Sequence, residues 1–246
     1  MNERGELLIV PDQATLADEA ARRFVALAQA AISAKGRFSV ALSGGSTPRA
    51  TYERLAQPPY HDQIDWSNVH VFWGDERYVP LDDPESSFRM AREALLRHVP
   101  IPAANIYPMP TVGGTPEAAA GAYAATITAF FDAEQPRFDL ILLGIGPDGH
   151  TASLFPGAPE LTTPSGDMVV VVRDAPKPPP TRLSFTLPLI NAAANVLFLI
   201  TGADKAATLR EVLRGPLEPA RLPAQGVQPA QGKLLWLVDM AAAREL

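Results

Sequence analysis

Short apolar runs recur along almost the whole chain, and segments with helical spacing separate them. The runs are Leu7–Val10, Phe38–Leu42, Val69–Trp73, Asp139–Leu143, Met168–Val172, Asn195–Ile200 and Lys233–Val238. Most are apolar throughout and not alternating, as expected for strands covered on both faces of a parallel sheet. Between them, Thr15 with Asp18 resembles a capping box, after which Leu16, Ala20, Phe24, Leu27 and Ala31 keep helical spacing until Gly36. Ser87–His98 reads as another helix. Thr115-Pro116-Glu117 opens a third with an N-cap threonine and a first-turn proline, and Asp204 is a candidate cap for Lys205–Arg214.

This alternation predicts an α/β fold: one Rossmann-like, three-layer domain over residues 1–246, with a mostly parallel open sheet and helices on both faces. The 25 prolines cluster in connections, notably Gln57-Pro58-Pro59, Ala175–Pro180 and Pro216–Pro229, and none interrupts a predicted central strand. A net charge of −6 supplies no basic footprint for nucleic acid. Without cysteine there is no thiolate chemistry, and no two histidines have metal-ligand spacing, which argues against a zinc site. The N-terminus lacks a signal-peptide core, and no apolar run approaches the roughly 20 residues of a membrane-spanning helix. The expectation is a cytoplasmic protein without membrane or nucleic-acid partners.

Open sheets of this class bind ligands beyond the carboxyl ends of their strands. Four stretches there carry polar chemistry. Ser43-Gly44-Gly45-Ser46-Thr47-Pro48 comes after an apolar run and leads into a helix start capped by Thr47. Its glycines, hydroxyls and helix dipole would suit a phosphate, although a plain strand-to-helix turn has the same composition. It matches neither a Walker loop nor the serine-nucleophile elbow, because no lysine precedes the hydroxyls and Ala41 replaces the first elbow glycine. Gly74-Asp75-Glu76-Arg77 puts three charges at a strand end, fit for an acid or base beside a cation or simply for solvation.

The third stretch, Gly144-Ile145-Gly146-Pro147-Asp148-Gly149-His150, meets the dinucleotide fingerprint letter for letter. A dinucleotide site demands a crossover helix at once, whereas Pro156-Gly157 and Pro159 come within a few residues. The alternative is a turn presenting Asp148 and His150 to a substrate, a histidine and carboxylate being suited to general acid–base work. His61, His70 and His98 have no such setting. Fourth, Arg182 and Lys205 are cations near strand ends. Lys205 would sit in a helix first turn, where a bound anion offsets its unfavourable dipole interaction; Arg182 could equally be an edge-strand surface charge.

Jointly these stretches resemble the 6-phosphogluconolactonase family: LSGGSTPRATYERLA from Leu42, VFWGDERYVP from Val71, LGIGPDGHTASLFPG from Leu143, PTRLSFTLPLIN from Pro180, FLITGADKA from Phe198 and WLVDMAA from Trp236. The family more often has Ser-Asn where this chain has Ser86-Ser87. The resemblance implies the fold shared with glucosamine-6-phosphate deaminase and ribose-5-phosphate isomerase. It also implies hydrolysis of 6-phospho-D-glucono-1,5-lactone in the oxidative pentose phosphate pathway, by a monomer or weak homodimer with no metal or organic cofactor. It further implies that Ser43, Gly44, Gly45, Ser46, Thr47, Arg182 and Lys205 hold the phosphate. His150 would be the base, with Asp75, Arg77 and Asp148 around it; either aspartate could partner His150. A glucosamine-6-phosphate deaminase would carry a glutamate where this chain has Phe155, and Asp-Glu-Tyr where it has Asp75-Glu76-Arg77. A sugar-phosphate-sensing domain could dispense with the Asp148–His150 pair, and a serine hydrolase would need the missing elbow. The proline-rich Ala175–Pro180 stretch is a candidate for closing over substrate.

Overall fold

Each apolar run forms a strand, within one residue at either end. The computed structural model describes residues 4–132, 136–162 and 166–246. In chain order the elements begin β1 (Glu6–Val10), α1 (Gln13–Lys35), β2 (Phe38–Leu42), α2 (Ser46–Leu55), β3 (Val69–Trp73) and β4 (Asp75–Arg77). Next come α3 (Ser87–Ala91, continued by a π-helical turn over Arg92–Leu96), α4 (Pro116–Phe131), β5 (Leu140–Leu143), β6 (Val169–Val172) and β7 (Arg182–Phe185). The chain closes with α5 (Leu187–Asn191), β8 (Asn195–Ile200), α6 (Ala206–Arg214) and β9 (Lys233–Asp239).

Six strands make a wholly parallel sheet in the order β1-β9-β8-β5-β2-β3. Every residue of β2 and β5 is buried, so both faces of the sheet centre are covered. From β2 the chain steps outward to β3; from β5 the next strand of this sheet is β8, on the other side. The β2/β5 boundary is therefore where the strand order reverses, the place such sheets open a crevice. Aromatic pairs fill the layers around it. Phe72 stacks on Tyr107 at 4.4 Å and Phe198 on Trp236 at 4.0 Å, and removing a ring of this size from a core generally costs about 3–5 kcal/mol.

Not every expected strand joins this sheet. Met168–Val172 supplies β6 of a separate antiparallel sheet, ordered β4-β7-β6. Arg182 thus lies on the central strand of that sheet and is buried, which excludes an edge-strand surface charge. The charged stretch after Gly74 is likewise a strand and not a loop.

Helix starts also differ in detail. Asp12, not Thr15, caps α1: its carboxylate accepts the Thr15 N–H at 2.8 Å, and Gly36 ends the helix in the left-handed conformation. α4 begins as its sequence predicts, with Thr115 accepting from Ala118 N–H. α2 starts one residue before Thr47, with Gly45 at the N-cap and no side chain capping its first turn. Asp204 does not cap α6; it pairs with Lys205, which occupies the N-cap position. No helix among the described residues is long and apolar enough to cross a membrane.

Candidate active site

The crevice at the β2/β5 boundary gathers the candidate residues. After β5 the chain makes a tight turn in which Gly149 N–H donates to Gly146 O, and Gly146 N–H to His150 O. The turn is held from outside as well. Thr151 Oγ1 donates to Gly144 O, Thr208 Oγ1 to Pro147 O, and Ala224 N–H to Gly149 O. No α-helix comes next; Thr151 and Leu154 form an isolated bridge, and the next regular element is a 3₁₀ turn at Pro159–Thr162. The glycine fingerprint therefore lacks the helix that would give it a dinucleotide function.

The turn's product is a close carboxylate–imidazole pair. Asp148 Oδ1 lies 2.5 Å from His150 Nδ1 and also accepts the His150 N–H at 3.2 Å. Burial would raise the Asp148 pKa, but the hydrogen bonds and charge of His150 outweigh it and hold the carboxyl at about 2. With Asp148 ionised, Nδ1–H donates to it and Nε2 is left with its lone pair free. Gly146 makes this possible: a Cβ there would overlap both the His150 ring and Asp148 Oδ1. Gly146→Ala should lower turnover more than product affinity and cost about 1–3 kcal/mol of stability from overpacking, measurable by kinetics and thermal unfolding together.

Asp75 is engaged elsewhere. Its Oδ2 accepts Ser153 Oγ–H at 2.7 Å, and the Ser153 N–H donates to Ser184 Oγ on the neighbouring strand. So the aspartate partnering His150 is Asp148. Arg77 lies directly opposite Arg182 in the β4–β7 ladder. Like charges so placed repel each other, a cost that an anion in the crevice would relieve. Arg77 donates to Glu85 O, and Arg182 to Pro179 O and Lys177 O. Burial lowers the Arg182 pKa, with Asp75 opposing and Arg77 adding to that shift.

Two connected hollows result. The first, about 460 Å³, is lined by Ser43, Asp75, Arg77, Asp148, His150 and Arg182, among others. The second, about 330 Å³, reaches Ser46, Thr47, Thr201 and Lys205. Gly44, Gly45, His150 and Lys177 border both. The crevice thus brings every predicted site residue together, but divides the cations: Arg77 and Arg182 at one end, Lys205 at the other. In the second hollow the uncapped N-terminus of α2 supplies the positive end of a helix dipole.

Lys177 and Phe155 also line the crevice, although neither stands among the predicted site residues. Lys177 is the sole charge in the proline-rich run, a placement that could have marked it. Phe155 packs under His150 with ring centroids 4.5 Å apart, and the Arg182 guanidinium sits over its ring at 5.6 Å. The remaining histidines are elsewhere: His70 stacks between Tyr107 and Phe130, where burial lowers its pKa, and His61 pairs with Asp62. Among the described residues no three His, Asp or Glu side chains converge as a metal site requires.

Known proteins resemble this chain in sequence and in fold. A family profile described as glucosamine-6-phosphate isomerases/6-phosphogluconolactonase matches residues 11–236. A 6-phosphogluconolactonase from Synechocystis sp. is 48% identical over 219 residues, 88% of each chain. The 6-phosphogluconolactonase of Mycobacterium tuberculosis is 42% identical over 244 residues, 97% of each chain. The solved structure of 6-phosphogluconolactonase from Trypanosoma brucei superposes with a TM-score of 0.87 at 30% identity, covering 100% of both chains.

Proposed function

Because this chain belongs to the glucosamine-6-phosphate isomerase/6-phosphogluconolactonase family, we infer that it hydrolyses 6-phospho-D-glucono-1,5-lactone to 6-phospho-D-gluconate in the oxidative pentose phosphate pathway. It is a carboxylic ester hydrolase whose substrate is a phosphorylated sugar lactone. The observation that most supports this reading is the Asp148–His150 pair standing beside a crevice whose far end is an uncapped helix N-terminus with Lys205.

In this mechanism His150 Nε2 takes a proton from a water as its oxygen attacks C1. Asp148 holds the imidazole in the right tautomer and stabilises the imidazolium that forms. The carbonyl π electrons move onto oxygen, and Arg77 or the backbone N–H groups of Gly44 and Gly45 stabilise that oxyanion, a contribution of about 3 kcal/mol per donor in comparable sites. As the C1–ring-oxygen bond breaks, His150 returns its proton to the leaving oxygen. Asp75, fixed by Ser153, faces the same hollow and accepts a sugar hydroxyl. The phosphate sits against Ser46, Thr47 and Lys205, with Lys177 bordering the same hollow, while Arg182 stays with Arg77 at the other end, facing the lactone. Anchoring a distant group in this way orients the lactone and leaves the site free to favour the transition state. Neither a metal nor an organic cofactor is needed for these steps.

The same reading takes residues 1–246 as one catalytic domain, working in the cytoplasm as a monomer or weak homodimer. Phe155 favours the lactonase over a deaminase, since an apolar ring cannot serve the ring-opening acid–base step that a glutamate would. The test is hydrolysis of freshly generated lactone, measured against its spontaneous opening. Acceleration is expected; ammonia release from glucosamine 6-phosphate with no lactone acceleration would overturn the assignment in favour of the deaminase.

A further inference from the structure

Glu76 lies between Asp75 and Arg77 yet faces away from the crevice, as strand alternation requires. It is 1% exposed. Its carboxylate accepts four hydrogen bonds: from Ser87 N–H at 2.8 Å, Phe88 N–H at 2.8 Å, Arg77 N–H at 2.8 Å and Ser86 Oγ–H at 3.0 Å. Burial nonetheless pushes its pKa up, with those bonds pulling the other way. A buried carboxylate with no ion-pair partner among the described residues is expensive to keep unless its position matters.

Its partners are informative. Ser86 is the N-cap of α3 and Ser87 and Phe88 are its first two residues, so Glu76 pins the start of α3 to β4. One residue before that cap, Glu85 O accepts the guanidinium of Arg77. On the far side, Ser87 presses on the anion loop, where a Cβ at Gly44 would overlap Ser87 Oγ. The backbone that orients Arg77 and the wall behind Gly44 are therefore parts of one segment, and Glu76 is its anchor.

We propose that Glu76 is a positioning residue for lactone hydrolysis, holding segment 85–88 so that Arg77 points into the crevice. This rests on the placing of Arg77 at the reacting lactone above. Glu76→Gln keeps the shape but puts an amide N–H₂ against donors on one side of the cluster. It should lower kcat/KM about tenfold, since displacements well under the size of an atom misalign a charged group.

A double-mutant cycle with Arg77→Ala separates positioning from general structural damage, with folded fraction and thermal midpoint measured for each variant. Acting through Arg77 means that Glu76→Gln changes kcat/KM by less than about twofold once Arg77→Ala is present. Effects that multiply, with Arg77→Ala itself impaired, overturn the positioning role and leave Arg77 in the site. An Arg77→Ala variant matching wild type overturns both the placement of Arg77 and the role of Glu76 through it. Should Glu76→Gln fail to fold, Ser86→Ala removes one of the four donors, together with the N-cap of α3, without disturbing the charge. Its smaller loss must likewise vanish in the Arg77→Ala background for the proposal to stand.

Discussion

His150→Ala should lower kcat by about 10²–10⁴-fold, the range a positioned general base contributes, while affinity for 6-phosphogluconate changes little. The geometry explains the split. Only Nε2 of the imidazole is free to take a proton, because Nδ1 is committed to Asp148 at 2.5 Å. The phosphate anchor proposed above is the second hollow, around Ser46, Thr47 and Lys205, which the substitution leaves in place. Steady-state kinetics on fresh lactone, corrected for its spontaneous opening, together with product binding by calorimetry, measure the two quantities. Near-wild-type turnover would remove His150 as the base. A large loss of product affinity would instead make it a binding residue. Asp148→Asn gives a related check: an amide that offers N–H₂ to Nδ1 favours the wrong tautomer, so turnover should fall without loss of the fold.

Much of this crevice is legible in the sequence, and the reason is local. The apolar runs end where the sheet needs them to end, so the residues after each run lie at one edge of the sheet whatever the order of strands. That rule alone collected Ser43, Asp75 and His150. It could not supply any relation across the chain. The partner of His150 was open between two aspartates because Asp75 is diverted by Ser153, a residue 78 positions away. Arg182 resembled an edge charge because its burial depends on β4 and β6 flanking it in a second sheet. Glu76 looked like one more solvated charge at a strand end. Its burial depends on the N-terminus of α3 folding back over it, and no spacing in the sequence encodes that return. The cap of α1 is hard to read from sequence for a smaller reason: Asp12 and Thr15 are both good cap residues, and the choice between them turns on backbone angles.

Lys205→Ala should weaken binding of 6-phosphogluconate about 10–100-fold, as expected for losing a charge-assisted hydrogen bond of about 1.5–3 kcal/mol, and leave kcat at saturating lactone much closer to wild type. In the free protein Lys205 Nζ pairs with Asp204 at 2.8 Å; its own side chain is largely buried whereas that of Asp204 is mostly exposed. The pair is therefore a weak competitor, because an exposed carboxylate regains water when the ammonium turns away. A phosphate offers the ammonium two negative charges, and it is held in turn by the positive end of α2 and by the Thr47 hydroxyl, which sits 2.7 Å from Thr201 Oγ1 at the same end of the crevice. Asp204→Asn is the matched control. Releasing Lys205 from its partner should leave affinity unchanged or raise it slightly, whereas a structural role for the ion pair would make both variants bind poorly. Salt dependence gives a further discriminator, since an anchor made of Lys205 and a helix dipole loses strength as ionic strength rises. If Lys205→Ala binds 6-phosphogluconate as tightly as wild type, the phosphate belongs instead at the Arg77–Arg182 end, where two opposed arginines also await an anion.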